Sequence, residues 1–250
     1  MTDLSSEFAG TTAIVTGGAS GIGAEVCRKL ADLGANVGIA DRNTTLASQL
    51  AAEIGEAALA VEIDVSDPGS ARDAVSRIKE HFGSLTLAVN NAGIVTPRMK
   101  MHEVPQADWQ FQLAVNLSGV FYCMQAEVPE MLAAGGGAIV NVSSICGLIG
   151  VANAAAYTAV KHGVAGLSKA AALDYVHDNI RVNAIAPGYV DTPLMQERSA
   201  AERQAIADRH PVKRMAKPSE LADAICYLLS PRASFVTGSV MAVDGAYTAV

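Results

Sequence analysis

Basic residues are in short supply. The 250-residue chain carries 18 Lys and Arg against 25 Asp and Glu, a formal net charge of −7 with a pI near 5.2. That balance argues against non-specific nucleic-acid binding, which depends on clustered cations to neutralise phosphates. Cysteine is scarce too: Cys27, Cys123, Cys146 and Cys226 lie far apart, with no C-x-x-C pair. The spacing disfavours a zinc site or a disulfide framework and fits free thiols in a reducing compartment. No apolar run is clean enough to cross a bilayer, since residues 138–160 are interrupted by Asn141, Ser143, Ser144 and Asn153. Residues 1–7 are polar and acidic, unlike a signal or transit peptide. Linkers, low-complexity segments and short repeats are missing as well. The expectation is one domain over residues 1–250 of a soluble, cytoplasmic protein that binds neither nucleic acid nor membrane.

What is present is apolar and alternating. Half the residues are hydrophobic and only 17% are charged, enough for a sizeable core. Residues 12–16, 36–40, 58–63, 85–89, 138–142, 180–185 and 239–243 read as short buried strands. Helical patterns separate them: one through Leu33 that Gly34 stops, then 44–54, and 68–82 behind an Asp67-Pro68 start. A long helix over 106–132 follows, with Pro129 near its end. Beyond it come a helix to about residue 176, a short one near 195–208, and one over 218–229. This order predicts an α/β fold, a Rossmann-like doubly wound parallel sheet of about seven strands with helices on both faces. Ligands of such sheets sit beyond the C-terminal strand ends. Gly17 to Gly23, Asp41, Asp64, Asn90 to Gly93, Ser144 and Pro187-Gly188 all follow strand ends.

Two patterns carry chemistry. Tyr157 and Lys161 stand four apart in an Ala-rich run, so a helix puts phenol and ammonium on one face. A nearby cation is expected to lower the Tyr157 pKa towards neutrality, giving an acid/base group for physiological pH. Ser144, thirteen residues upstream at a strand end, can face that phenol. The pair alone is more often the mark of a solvated helix face. The glycine loop Gly17-Gly18-Ala19-Ser20-Gly21-Ile22-Gly23 lies between strand and helix, where glycines let phosphates approach the backbone. Its spacing is G-x-x-x-G-x-G, not the usual G-x-G-x-x-G. Asp41, at the next strand end, is placed to bind both ribose hydroxyls of an adenosine and to repel a 2′-phosphate. Arg42 follows and can attract that phosphate; weighed together they favour NAD over NADP.

Over essentially the whole chain these residues resemble the classical short-chain dehydrogenase/reductase family. Thr16 through Gly23 is similar to its T-G-x-x-x-G-x-G cofactor loop, with Gly17, Ser20, Gly21, Ile22 and Gly23 as contacts. Asp64-Val65 resembles the adenine-contacting pair, and Asn90-Asn91-Ala92-Gly93 the N-N-A-G element, with Asn91, Ala92 and Gly93 at the cofactor. Pro187-Gly188 with Val190 and Thr192 resembles the segment that holds the nicotinamide carboxamide. Asn116, Ser144, Tyr157 and Lys161 match the catalytic set. The resemblance implies hydride transfer between NAD(H) and an alcohol or ketone. Tyr157 is the implied base, Ser144 the donor to the substrate oxygen, and Lys161 the group that lowers the Tyr157 pKa and holds the nicotinamide ribose. Asn116 is implied to hold a relay water. No metal is implied, and the family's usual assembly is a homotetramer or homodimer. The family usually has a second Gly after Asp244-Gly245, where this chain has Ala246.

The substrate pocket is expected to draw on Val95, Ile145, Cys146, Ala154, Tyr189, Leu194 and Met195, under a lid over residues 188–217. Its apolar character suggests a neutral alicyclic, aryl-alkyl or steroid-like secondary alcohol or ketone. No Arg or Lys is clearly placed to grip a carboxylate, although Arg98, Arg198 or Arg203 can swing in. His162 should point away from Tyr157, and His102, His177 and His210 read as surface residues. Trp109 and Phe111 read as packing. Two other functions share the pattern: an NADPH-dependent 3-oxoacyl thioester (acyl carrier protein) reductase, and a non-catalytic dinucleotide-binding scaffold.

Overall fold

Short strands, buried on both faces at the centre of the sheet, set the frame. The structure, a computed structural model, describes residues 6–249 apart from the Leu194 side chain; residues 1–5 of the polar N-terminal stretch lie outside it. In chain order the elements are β1 (Thr12–Thr16), α1 (Gly21–Asp32), β2 (Asn36–Asp41), α2 (Thr44–Ile54), β3 (Ala58–Glu62), α3 (Pro68–Phe82) and β4 (Leu87–Asn90). Then follow α4 (Gln106–Leu113), α5 (Gly119–Ala133), β5 (Gly137–Val142), α6 (Ala155–Tyr175) and β6 (Ile180–Pro187). The last are α7 (Pro193–Gln196), α8 (Ala200–Ala207), α9 (Pro218–Leu229) and β7 (Val240–Val243).

The strands form one seven-stranded sheet in the order β3-β2-β1-β4-β5-β6-β7. Every pairing is parallel. Parallel strands need a crossover, and the helices supply it while covering both faces. Successive strand side chains point to opposite faces. Val15 therefore joins the core beneath α1, α2 and α9 with Val26, Leu30 and Ile225. Ile14 joins the core beneath α3, α5 and α6 with Ile78, Val120 and Val164. Each aliphatic side chain so buried contributes about 1.5–3 kcal/mol against exposure. The winding direction reverses between β1 and β4, which opens a crevice above their C-terminal ends.

Local chemistry sets most boundaries. Asp67 Oδ1 accepts from the Gly69 N–H at 2.8 Å to cap α3, Pro68 occupies its first turn, and Gly83 in the left-handed region ends it. Two expected elements are built differently. The single helix expected over 106–132 is instead α4, a π-helical turn at Ala114–Ser118, and α5, which runs through Pro129 to Ala133. The short helix expected near 195–208 is two helices, α7 and α8. Ser199 starts the second with a reciprocal capping box, its hydroxyl accepting from the Glu202 N–H while the Glu202 carboxylate accepts from the Ser199 N–H. That local cap starts α8 as a helix of its own. No helix among the described residues is long and apolar enough to cross a membrane.

Candidate active site

The glycine loop leaves β1 and enters α1 in a conformation that side chains would block. Gly17 has φ +62°, and a Cβ there would sit 2.9 Å from Ala92 Cα. At Gly23 a Cβ would lie 2.1 Å from the Gly17 carbonyl oxygen. The turn is braced by Asn91, whose Nδ2 donates to the carbonyls of Thr16 and Gly17 at 3.0 Å each. Thr16 Oγ1 in turn accepts from the N–H groups of Asn91 and Ala92. Ser20 precedes α1, whose amide-rich N-terminus favours an anion, and no acid sits in its first turn.

Asp41 ends β2 with its carboxylate tied to the same loop. Oδ2 accepts from the Ala19 N–H at 3.0 Å and Oδ1 from the Asn43 N–H at 2.9 Å, leaving further lone pairs on each oxygen. Arg42 is exposed, its Nε 3.9 Å from Asp64 Oδ2. Asp64 accepts from the Ser66 hydroxyl and N–H, bonds that hold its carboxyl below the ordinary range. Gly17, Ser20, Gly21, Ile22, Asp41, Arg42, Asp64, Val65, Asn91, Ala92, Gly93 and Thr192 line one cavity of about 390 Å³. Ile22, Asn91, Gly93 and Thr192 also line a second cavity, of about 540 Å³, with Pro187, Gly188 and Val190. The two form a continuous cleft across the strand ends. Its glycine cradle, helix N-terminus and terminal carboxylate suit the pyrophosphate and adenosine of a dinucleotide.

The larger cavity brings Ser144, Tyr157 and Lys161 together. Ser144 follows β5, and its Oγ accepts from the Cys146 N–H at 3.1 Å. Ser143 beside it donates to the Lys161 carbonyl at 2.9 Å and so pins α6 to the end of β5. Lys161 is 3% exposed, donates to the Val142 carbonyl at 2.8 Å, and holds its Nζ 5.6 Å from the Tyr157 ring centre. Burial pushes the Lys161 ammonium down to about 8. Burial also pushes the Tyr157 phenol up to about 12, with the Ser144 hydroxyl and the Arg98 charge pulling the other way. The expected drop of the Tyr157 pKa towards neutrality is therefore corrected to a rise. Losing water around a phenolate costs more than the Ser144 hydrogen bond and the Arg98 charge return.

Asn116 sits in the π-helical turn, fully buried. Its Oδ1 accepts from the Ile94 N–H at 2.8 Å and its Nδ2 donates to the Ile94 carbonyl at 2.9 Å. Both ends of the carboxamide thus hold the loop after β4. A Cβ on Gly93 would lie 3.0 Å from Asn116 Oδ1 and 3.8 Å from Lys161 Nζ, which places both side chains against the same face of Gly93.

Val95, Ile145, Cys146, Ala154, Tyr189 and Met195 line the larger cavity as expected; the Leu194 side chain lies outside the described residues. The cavity also takes in Thr96, Arg98, Val104 and Gln112, which periodicity does not flag because they come from an irregular loop and a distant helix. Gln112 is buried and donates to Thr96 Oγ1 at 2.7 Å. His210, expected at the surface, is 2% exposed. Its Nε2 accepts from the Tyr189 N–H at 3.1 Å, and its ring packs between Tyr189 and Tyr247. Nothing local in the sequence announces that contact across twenty-one residues. His162 does turn outward, bonding the Thr158 carbonyl. Trp109 and Phe111 are 37% and 47% exposed, more open than packing residues should be. Ala246 has φ +66°, so the side chain in place of glycine carries backbone strain.

Comparison with known proteins agrees with this geometry. A sequence model of the family described as enoyl-(acyl carrier protein) reductase matches residues 17–248. The chain is 46% identical to cis-4-hydroxycyclohexanecarboxylate dehydrogenase of Sinomonas cyclohexanicum, over 97% of this chain and 98% of that protein. It is 45% identical to cyclohexanol dehydrogenase of Acinetobacter sp. (strain SE19), over 98% of each. The solved structure titled "Crystal structure of gox2181" superposes with a TM-score of 0.94 at 32% identity, covering 97% of both chains. With the parallel sheet, the glycine cradle and the Ser-Tyr-Lys cluster at one cleft, the chain belongs to the short-chain dehydrogenase/reductase family, whose dehydrogenases use nicotinamide dinucleotide cofactors.

Proposed function

We propose that the protein is an NAD-dependent dehydrogenase of alicyclic secondary alcohols, interconverting them with the ketones. One observation carries the reading: an apolar cavity of about 540 Å³ has Ser144, Tyr157 and Lys161 on its wall and opens into the dinucleotide cleft. The names of the relatives from Sinomonas and Acinetobacter support a six-membered carbocycle over aryl-alkyl or steroid-like substrates. The cofactor, when bound, accepts or returns the hydride. Ser144 Oγ donates to the substrate oxygen, and Tyr157 Oη takes its proton in the oxidation direction. Lys161 steadies the phenolate by charge and, with its ammonium depressed to about 8, passes a proton near neutral pH. Asn116 positions the Ile94 loop opposite them. The chain works as one domain, with residues 188–217 as the substrate lid.

Asp41 supports NAD. A 2′-phosphate would meet its carboxylate at the end of β2, while Arg42 is drawn towards Asp64. Buried, unpaired thiols at all four cysteines support a cytoplasmic location. Exposed Phe111, Phe121, Leu173 and Val176 support self-association as a homotetramer or homodimer. The test is steady-state oxidation of cyclohexanol with NAD and with NADP, alongside NADPH-dependent reduction of a 3-oxoacyl thioester. The expected result is alcohol oxidation with an NAD preference of ~100-fold. Asp41→Ala should narrow that preference by ~10-fold or more, since it removes a like charge beside the phosphate. Thioester reduction with NADPH and no alcohol oxidation would replace the reading with the biosynthetic reductase.

A further inference from the structure

The larger cavity has an unusual rim. Arg98, from the loop after β4, lines it and donates through Nη2 to the Tyr189 hydroxyl at 2.8 Å, with its guanidinium carbon 5.9 Å from that ring's centre. Arg209, just after α8, donates to the same oxygen through Nη1 at 3.4 Å. Two cations therefore share one neutral acceptor. Among the described residues neither has a carboxylate within 4 Å, whereas Arg28, Arg203, Arg214 and Arg232 each have one. Arg203, one of the residues expected to swing towards the pocket, is held instead by both Asp191 oxygens at 3.1 Å.

The donors converge on one oxygen. With its oxygen already accepting from guanidinium N–H groups, Tyr189 is left to donate its own O–H. Arginine offers only donors. The cluster thus presents N–H and O–H groups and two positive charges, and nothing that accepts, on a chain whose net charge is −7. Tyr189 is rigidly held, its main-chain N–H donating to the buried His210 and its ring packed on that imidazole. On the wall of the same cavity Ser144 and Tyr157 address a hydroxyl, and much of the remaining lining is apolar.

We propose that Arg98, with Tyr189 and Arg209, is the carboxylate-recognition end of the substrate pocket, and that the preferred substrates are alicyclic hydroxycarboxylates: a ring with a secondary hydroxyl at one end and an anionic group at the other. This rests on the alicyclic-alcohol reading and narrows it from neutral to anionic substrates. A carboxylate accepts a bidentate pair from Arg98 and relieves the repulsion between the two guanidiniums. A ring without the acid leaves those cations uncompensated.

The experiment compares cyclohexanol, 4-hydroxycyclohexanecarboxylate and its neutral methyl ester as substrates, with NAD, for the wild-type enzyme and Arg98→Met. Calorimetric binding of cyclohexanecarboxylate, which has no hydroxyl to oxidise, is measured in parallel. The acid should exceed the ester in kcat/KM by ~10-fold or more in the wild type. Arg98→Met also removes a charge that favours the Tyr157 phenolate, so the readout is the difference between substrates: kcat/KM for the acid should fall by ~10-fold or more beyond whatever change cyclohexanol shows, the worth of a charge-assisted bidentate contact. Cyclohexanecarboxylate should bind ~10-fold more weakly to the variant. Equal turnover of acid and ester, or an equal loss on all three substrates, overturns the proposal while leaving the alcohol-dehydrogenase reading intact. If no alcohol is oxidised, that reading falls, and binding of cyclohexanecarboxylate unaffected by Arg98→Met overturns the anion site separately.

Discussion

Single residues carry the proton chemistry and one hidden titration. Tyr157→Phe keeps the ring packing but removes the proton acceptor, so kcat for alcohol oxidation should fall by ~10²–10⁴-fold. Cofactor affinity measured by fluorescence should stay within a few-fold, which separates chemistry from folding. Far from the cleft, Glu127 of α5 is fully buried, its Oε2 accepting from Asn90 Nδ2 at 3.1 Å. Asn90 also donates to Asn141 Oδ1, and Asn141 donates to Ser168 Oγ. Burial pushes the Glu127 carboxyl from the usual 4.5 up to about 8. Glu127 Oε1 and Asn90 Oδ1 are both buried without a hydrogen-bond partner, an environment that favours the neutral, protonated carboxyl. Above pH 4.5 the unfolded chain releases that proton while the folded chain keeps it until about 8. Stability from this group is therefore full below 4.5 and lost as pH rises towards 8. Glu127→Gln keeps a donor without the titration. Its melting temperature should match wild type near pH 4.5–5 and exceed it increasingly towards pH 8, a trend that differential scanning fluorimetry reads directly.

At the scale of elements, the segment proposed as the lid, residues 188–217, carries α7 and α8 and is held together internally by the Val190–Ala216 bridge, the Arg203–Asp191 pair, and His210 on the Tyr189 N–H. His210→Ala deletes the last and leaves a half-buried N–H without its acceptor. Loss of that bond, worth about 1–3 kcal/mol where the donor is left unpaired, should loosen the lid more than the sheet. The expected pattern is a KM for alcohol raised ~5–20-fold with a smaller change in kcat. Trypsin should also cut faster at Arg209, Lys213 and Arg214, whereas a variant that merely unfolds would lose its melting transition as well. At the same scale the π-helical turn explains where Asn116 sits. Five residues in one widened turn carry it inward to clasp Ile94, an outcome that a regular 3.6 period over 106–132 does not contain.

At the scale of the whole molecule, α3, α5 and α6 cover one face of the sheet, and on that side Phe111 of α4, Phe121 and Leu132 of α5 and Leu173 of α6 remain between 43% and 77% exposed. Apolar area of that kind is costly in water and stabilising at a subunit interface. Light scattering after size exclusion should give a dimer or tetramer mass, and Phe121→Glu with Leu173→Glu should shift it to the monomer. A monomeric wild type at micromolar concentration would refute the assembly.

Periodicity by itself determined the architecture. Apolar runs of four to six residues alternating with helical stretches leave a parallel sheet as the way to bury both, and the elements came within a residue or two of 44–54, 68–82 and 218–229. The glycine loop and the strand-end positions were legible because a phosphate cradle and a switch-point crevice are short-range and topological features. The grouping of Ser144, Tyr157 and Lys161 also followed from one strand end and one helix turn. What only the tertiary structure decided involves partners distant in sequence: Arg98 and Arg209 meeting on Tyr189, His210 beneath the same residue, and Glu127 locked to Asn90. The sign of the Tyr157 shift belongs here too. It is a balance between burial, which depends on everything packed around the phenol, and the Ser144 hydroxyl and Arg98 charge that the fold brings to it. A spacing of four can place two groups side by side, but the dielectric around them is set by the whole fold.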